Sequence, residues 1–141
     1  MKVLKFGGSS VKDAENISKV IDILLQYDNE IAVVFSAMGG VTDLLIEISG
    51  QAASRKANFR KVFEKLKRRH YGVSEILLNA SNFEVSSGKL EQMHENLGKI
   101  LEGVYLLGEI SPRTMDYVLS FGERSSAFII SYAFQQNGIN A

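Results

Sequence analysis

Two spacings of apolar residues alternate along the chain, and each change of spacing marks a predicted element. Short apolar runs at 2–6 and 31–36 are typical of strands covered on both faces. Between them, apolar positions recur every three or four residues over 11–27, which predicts an amphipathic helix. Two strands separated by a helix should pair in parallel as a βαβ unit.

Helical spacing dominates the rest of the chain. A second helix is predicted from Val41, and the pattern is helical almost throughout from about residue 55 to 136. Ser111 followed by Pro112 is a typical helix start. The predicted fold class is therefore α/β, with parallel strands at 2–6 and 31–36 and a large helical subdomain.

Each predicted strand ends in a glycine turn that leads to a helix. Gly7-Gly8 follows the first strand and Gly39-Gly40 the second. A capping box from Ser10 to Asp13 should start the first helix, and Thr42 taken alone is an ordinary N-cap of the second. Because neighbouring parallel strands end at the same edge of a sheet, we expect the two turns to be neighbours.

Lys5 lies in the first apolar strand, where a charge needs a partner. Gly7-Gly8 lets the backbone approach a ligand, and the following helix offers free N–H groups and partial positive charge. Lys5 projecting into this turn would complete an anion site; otherwise it lies on an exposed edge strand beside a simple turn. Neither G-x-x-x-x-G-K-[ST] nor G-x-G-x-x-G occurs, which disfavours a Walker ATPase or a Rossmann dehydrogenase.

Composition narrows the class of partner. The 141 residues suit one domain, and 16 basic residues balance 16 acidic ones, which favours small-molecule or protein partners over nucleic acid or a membrane surface. No cysteine is present, so there is no disulfide framework, and no apolar run is long enough for a membrane span. A cytoplasmic location is expected.

The basic segment and the two histidines indicate structure more than chemistry. Residues 55–69 hold eight basic residues against one acid beside an apolar stripe, which is typical of a solvated helix face. His70 falls on that stripe and is predicted to be a core or boundary residue. His94 is predicted on a helix surface, and because Gly98 stands four residues later, no zinc-binding pair forms and no metal site is expected.

Three ordered segments resemble the aspartokinase branch of the amino acid kinase family. They are KFGGSSV at 5–11, VFSA leading to GVTD at 34–43, and SFGERSS at 120–126. The start of the chain is most similar to the kinase half of bifunctional aspartokinase/homoserine dehydrogenases. The resemblance implies that 1–141 is the N-terminal portion of one three-layer αβα kinase domain, with a helical insertion at about 55–117 and the rest of the domain absent.

The resemblance also implies an activity, in which the γ-phosphoryl group of ATP passes to the side-chain carboxylate of aspartate. The product, aspartyl phosphate, opens threonine, methionine and lysine biosynthesis. Mg²⁺ would be held through the nucleotide, and NADP is expected only if a dehydrogenase half follows. The family's substrate-binding arginine and catalytic aspartate lie beyond residue 141, so we predict that the chain alone is inactive, and that its truncated sheet favours homo-oligomers.

The same resemblance implies roles for particular residues. Lys5 would be catalytic by stabilising the transferred phosphoryl group. The residues implied to bind ATP and its phosphates are Lys5, Phe6, Gly7, Gly8 and Ser10. The residues implied to bind aspartate are Ser36, Thr42 and Glu123, the last through the α-ammonium group. From spacing alone, Glu123 is a routine first-turn acid of a helix.

Two alternatives stay open at this stage. Another amino acid kinase, acting on glutamate or N-acetylglutamate, would carry a similar glycine turn. A non-catalytic helical interaction module would also account for the helix-rich middle and the basic segment.

Overall fold

The structure is a computed structural model that describes residues 2–27 and 30–141. The elements are β1 (Lys2–Phe6), α1 (Ala14–Leu24), β2 (Ile31–Phe35), α2 (Val41–Ala53), α3 (Phe59–Leu77), α4 (Ala80–Leu107) and α5 (Pro112–Gln136). The two strands pair in parallel, with Lys5 opposite Val34. The predicted βαβ unit is confirmed, and it forms a small sheet in a mostly helical chain.

The first helix is shorter at both ends than the predicted 11–27, and Asp13 rather than Ser10 is its N-cap. Hydrogen bonds from the side chain and the backbone of Asn16, the latter 2.9 Å long, reach the Asp13 carboxylate and lower its pKa. Ser10 closes the preceding turn instead, its N–H donating to the carbonyl of Gly7 at 2.9 Å. The first helix starts after Asp13 because the fully buried Val11 packs into the core as part of the preceding turn.

One face of the sheet packs on the helices and the other is uncovered. On the covered face the ring of Phe6 stacks on Phe35 with their centroids 5.8 Å apart. On the other face Val3 is 64% and Val34 48% exposed, and Lys5 is exposed between them. The prediction of a strand covered on both faces is therefore wrong for the residues that the structure describes, because nothing among them shields this face.

The second helix lies at the centre of the helical part. It contacts α3, α4 and α5, and its stripe of Val41, Leu45 and Ile48 is almost completely buried. The last helix begins as predicted, with the Ser111 hydroxyl accepting a hydrogen bond from the Thr114 N–H at 3.1 Å. Within the described ranges, no helix combines the length and apolar character that crossing a membrane requires.

Three predictions within the helices are wrong. Glu123 lies in the middle of α5, which runs unbroken through the predicted helix start. Thr42 is not an N-cap, because Gly40 holds that position with a φ of 79°. His94 is not on the surface: it shares a buried stripe with leucines of its own helix, and like His70, whose burial was predicted, it is 2% exposed.

Candidate functional site

The first turn (residues 7–13) and the second turn (residues 37–40) lie directly against each other; we call them the paired turns. A Cβ built on Gly8 would lie 3.1 Å from the carbonyl oxygen of Ala37. A Cβ built on Gly39 would lie 2.8 Å from Cβ of Lys12 and 3.3 Å from the carbonyl oxygen of Gly8. The contact leaves no room for a side chain, and the prediction that the two turns are neighbours is confirmed.

Buried side chains anchor both turns in the core. Val11 of the first turn is 0% exposed and Met38 of the second is 1% exposed. The second turn ends at Gly40 in the left-handed region, and no side chain of the described residues caps the helix that follows. The N–H groups at the start of α2, around Thr42, therefore keep a partial positive charge that suits a carboxylate or a phosphate.

Lys5 lies at the edge of the first turn but is not buried. Its side chain is exposed on the uncovered sheet face, and it forms no ion pair with any described residue. Water therefore solvates its charge, and the partner expected from burial in the strand is not required. A Cβ built on Gly7 would meet no atom of the described residues within 4 Å, so among them the space beside the Lys5 strand end is open to a ligand.

Phe6 and Ser10 support the turn rather than face that space. The Phe6 ring points to the core, while its carbonyl accepts a hydrogen bond from the Ser36 N–H at 3.0 Å. This bond extends the strand pairing by one residue and ties the end of the first strand to the start of the second turn. Ser10, half-buried, holds the first turn closed through its N–H.

The third motif reaches the second turn through Gly122 of α5. A Cβ built on Gly122 would lie 2.8 Å from Cβ of Ala37 and 3.4 Å from Cγ1 of Val41. The three predicted aspartate ligands are the sequence neighbours of these contacting residues, namely Ser36, Thr42 and Glu123. The contacts of Gly122 thus bring the three segments together, with Thr42 and Glu123 exposed and Ser36 half-buried.

Arg69 of α3 also contacts the paired turns, which the sequence pattern does not predict. Its Nη2 donates to the carbonyl of Lys12 at 2.8 Å and to the carbonyl of Gly39 at 2.6 Å, one in each of the paired turns. Arg69 is the last residue of the basic segment 55–69, whose composition indicates only a solvated helix face. Nothing in the local spacing distinguishes Arg69 from the other basic residues of the segment, although it is half-buried and Arg68 is exposed.

Other basic residues of this segment also find partners within the chain. Arg60 binds Glu102 through two hydrogen bonds of 2.7 and 2.6 Å, and Lys67 lies 2.5 Å from Glu64. Both pairs are accessible to solvent, although Lys67 is half-buried, and such pairs add little to stability. They agree with the interpretation of the segment as mainly a solvated helix face.

The chain belongs to the amino acid kinase family, whose model matches residues 1–141. Its curated relatives are aspartokinases, which confirms the resemblance read from the three motifs. Bifunctional aspartokinase/homoserine dehydrogenase 1, chloroplastic, from Zea mays is 32% identical over 137 residues, which are 96% of this chain and 15% of the maize protein. Aspartokinase 2, chloroplastic, from Arabidopsis thaliana is 32% identical over 141 residues, which are 99% of this chain and 25% of that protein.

A solved structure of an aspartokinase also has this fold over almost the whole chain. Aspartokinase III of E. coli in complex with aspartate and ADP superposes with a TM-score of 0.85 at 27% identity, over 98% of this chain and 29% of that one. The chain thus spans a quarter or less of these two curated relatives. Both are named as chloroplastic enzymes, and the cytoplasmic location expected for this chain stays a prediction.

Proposed function

We propose that this chain forms the amino-terminal part of the catalytic domain of an aspartate kinase, which transfers the γ-phosphoryl group of MgATP to the side-chain carboxylate of aspartate. The observation that carries the proposal is the contact between the paired turns. It joins a glycine turn that follows a lysine-bearing strand to the exposed start of α2. The E. coli relative in complex with aspartate and ADP supports this choice of substrates.

The first turn fits a phosphate group. Open space next to Gly7 lets phosphate oxygens approach the backbone, and Lys5 at the adjoining strand end supplies a full positive charge. Phosphoryl transfer asks the protein mainly for positioning and for charge near the equatorial oxygens. We therefore assign Lys5 to stabilise the transferred group, and the turn at Gly7 and Gly8 to orient it. Mg²⁺ would be held through the nucleotide.

The second turn and α5 fit an amino acid. Thr42, at the uncapped start of α2, offers a hydroxyl and N–H groups that suit a carboxylate. Ser36 adds a second hydroxyl at the end of β2. Glu123 supplies the negative charge that an α-ammonium group requires, and the contact of Gly122 with Ala37 holds that part of α5 against the turn.

The uncovered sheet face supports the view that further parts of the domain complete the site. Val3 and Val34 expose apolar surface beside Lys5, and the chain spans 29% of the E. coli enzyme. A segment packed on this face would remove water from Lys5 and strengthen its attraction for phosphate. We therefore expect the 141-residue chain alone to show no appreciable turnover.

The test uses a protein that carries this segment at the length of its relatives. Aspartate, MgATP and hydroxylamine are supplied, and the acyl phosphate is read as the hydroxamate. Lys5→Ala should lower the rate by about 100-fold or more, as expected when a group that stabilises transition-state charge is removed. Lys2→Ala is the matched control, since Lys2 is an exposed lysine of the same strand, and its rate should stay within about twofold of wild type.

Two results would contradict the proposal. One is a Lys5→Ala protein that retains the wild-type rate. The other is turnover of glutamate or N-acetylglutamate in place of aspartate, which would assign the chain to another branch of the family. Turnover by the isolated 141-residue chain would contradict only the expectation that its site is incomplete.

A further inference from the structure

Arg69 joins the paired turns although it belongs to neither of them. It projects from α3, and a single nitrogen, Nη2, donates to the carbonyls of Lys12 and Gly39 at 2.8 and 2.6 Å. A primary guanidinium nitrogen carries two hydrogens, so each carbonyl can receive one. The two carbonyl oxygens are thereby held at a fixed separation by one planar group.

A charged donor suits this position. Two carbonyl oxygens that converge on one point repel each other, and a guanidinium group offsets that repulsion with charge-assisted hydrogen bonds. The Nε of Arg69 is buried and has no partner within residues 2–27 and 30–141, so part of the side chain is desolvated to make this contact. A lysine lacks the planar fork and cannot reproduce the same geometry.

The packing of the turns limits their motion in the opposite direction. Gly39 already lies so close to Lys12 that a Cβ on the glycine would come within 2.8 Å of the lysine Cβ. The turns therefore cannot approach further, and Arg69 resists their separation. Together the two contacts fix one distance between the turns.

We propose that Arg69 is a positioning residue for phosphoryl transfer, which sets the distance between the phosphate-binding first turn and the aspartate-binding second turn. The proposal rests on the proposed function of the paired turns. In this role Arg69 acts through the two carbonyl groups that it holds, and no contact with a substrate is assigned to it. Its loss should loosen the relative placement of the reacting groups, to which rates are far more sensitive than affinities.

The first experiment is independent of kinase activity and uses the 141-residue chain. Amide hydrogen exchange is followed at Ser10 and Val41, whose N–H groups close the first and second turns, and at Ile129 in the core of α5. Arg69→Met should speed exchange at Ser10 and Val41 by about tenfold or more beyond any change at Ile129, as expected for the loss of charged hydrogen bonds.

Arg68→Met is the matched control. Arg68 is exposed, adjacent in sequence, and makes no hydrogen bond with the described residues, so its variant should exchange like wild type. Arg69→Lys should fall between wild type and Arg69→Met, and it replaces Arg69→Met if that variant does not fold. Equal acceleration at the turns and at Ile129, or none at the turns, would overturn the proposal, because a merely structural residue changes exchange throughout.

The second experiment measures steady-state kinetics in a protein at the length of its relatives. Arg69→Met should lower kcat by about 10- to 100-fold while the KM values for aspartate and ATP change by less than about threefold. Arg69→Lys should recover part of kcat, and Arg68→Met should match wild type. Raised KM values with an unchanged kcat would overturn the positioning role. Absence of activity in the wild type would instead reject the proposed function, and the exchange measurement would still decide whether Arg69 fixes the turns.

Discussion

Replacing Gly122 by alanine places a methyl group where α5 meets the second turn. The new Cβ would lie 2.8 Å from Cβ of Ala37, 3.3 Å from Cδ1 of Leu45 and 3.4 Å from Cγ1 of Val41. Carbon atoms in favourable contact are about 3.5 to 4.0 Å apart, so α5 has to move by roughly 1 Å or the turn has to yield. Overpacking of this kind costs about 1 to 3 kcal/mol, partly offset by up to about 1 kcal/mol of improved helix propensity.

Gly88→Ala is the matched control for this change. Gly88 also lies inside a long helix, α4, and a Cβ built there meets no atom within 4 Å in the part of the chain that the structure describes. That variant should gain up to about 1 kcal/mol from helix propensity alone. Urea unfolding gives the free energy of unfolding of each variant, provided that their m-values are equal. The difference between the two changes is the cost of the clash at Gly122, about 1 to 3 kcal/mol. Equal stability of the two alanine variants would refute the close contact.

A rescue variant tests the identity of the contact. Ala37→Gly removes the atom nearest to the new methyl group, so the double variant Ala37→Gly/Gly122→Ala should recover part of the lost stability. The double-mutant cycle should show a favourable coupling of about 0.5 to 3 kcal/mol. Additive effects of the two changes would mean that the clash lies elsewhere on α5.

Two further predictions concern the histidine pair and Gly40. Burial lowers the pKa of His70 to about 3 and that of His94 to about 4, whereas the pKa of each is near 6.5 in the unfolded chain. The contribution of the neutral histidines to the free energy of unfolding is therefore fully present above about pH 6.5 and is lost as the pH falls below it. Urea unfolding should show a loss of about 2 kcal/mol for each histidine between about pH 7.5 and pH 5, and equal midpoints at the two pH values would contradict this. Gly40→Ala should lower the free energy of unfolding by about 1 to 2 kcal/mol, because Gly40 has a φ of 79°, which an alanine adopts only with strain. Gly50→Ala, inside the helix α2 that Gly40 caps, should not destabilise, and a Cβ at either glycine would contact no described residue. Equal stability of the two variants would contradict the strain at Gly40.

The elements that the sequence predicts well are those that local spacing determines. Parallel strands, the start of α2 at Val41 and the cap at Ser111 each follow from neighbouring residues: an apolar run, a helical stripe, or a hydroxyl before a proline. The adjacency of the paired turns also follows from a general rule, since parallel strands end at the same edge of a sheet. The three motifs were sufficient to identify the family.

The features that the sequence does not predict depend on tertiary contacts. The capping box at Ser10 and the cap at Asp13 are equally good locally, and the burial of Val11 decides between them. The predicted surface position of His94 is wrong because packing against α3 buries the helix face that His94 shares with Leu90, Leu97 and Leu101. The two hydrogen bonds of Arg69 join segments 57 and 30 residues away, and no local pattern encodes them.

Glycines set the geometry of the site by allowing close contacts between segments. Gly8 and Gly39 bring the paired turns together, and Gly122 brings α5 to them; at each position an added Cβ would come within 3.1 Å of a neighbouring atom. The nearest atom is a carbonyl oxygen at Gly8 and a Cβ atom at Gly39 and Gly122. A change of rotamer moves none of these atoms, so these distances share the stiffness of a close-packed core. We expect this fixed backbone to hold Thr42 and Glu123, the proposed aspartate ligands, at the distances that the proposed phosphoryl transfer requires.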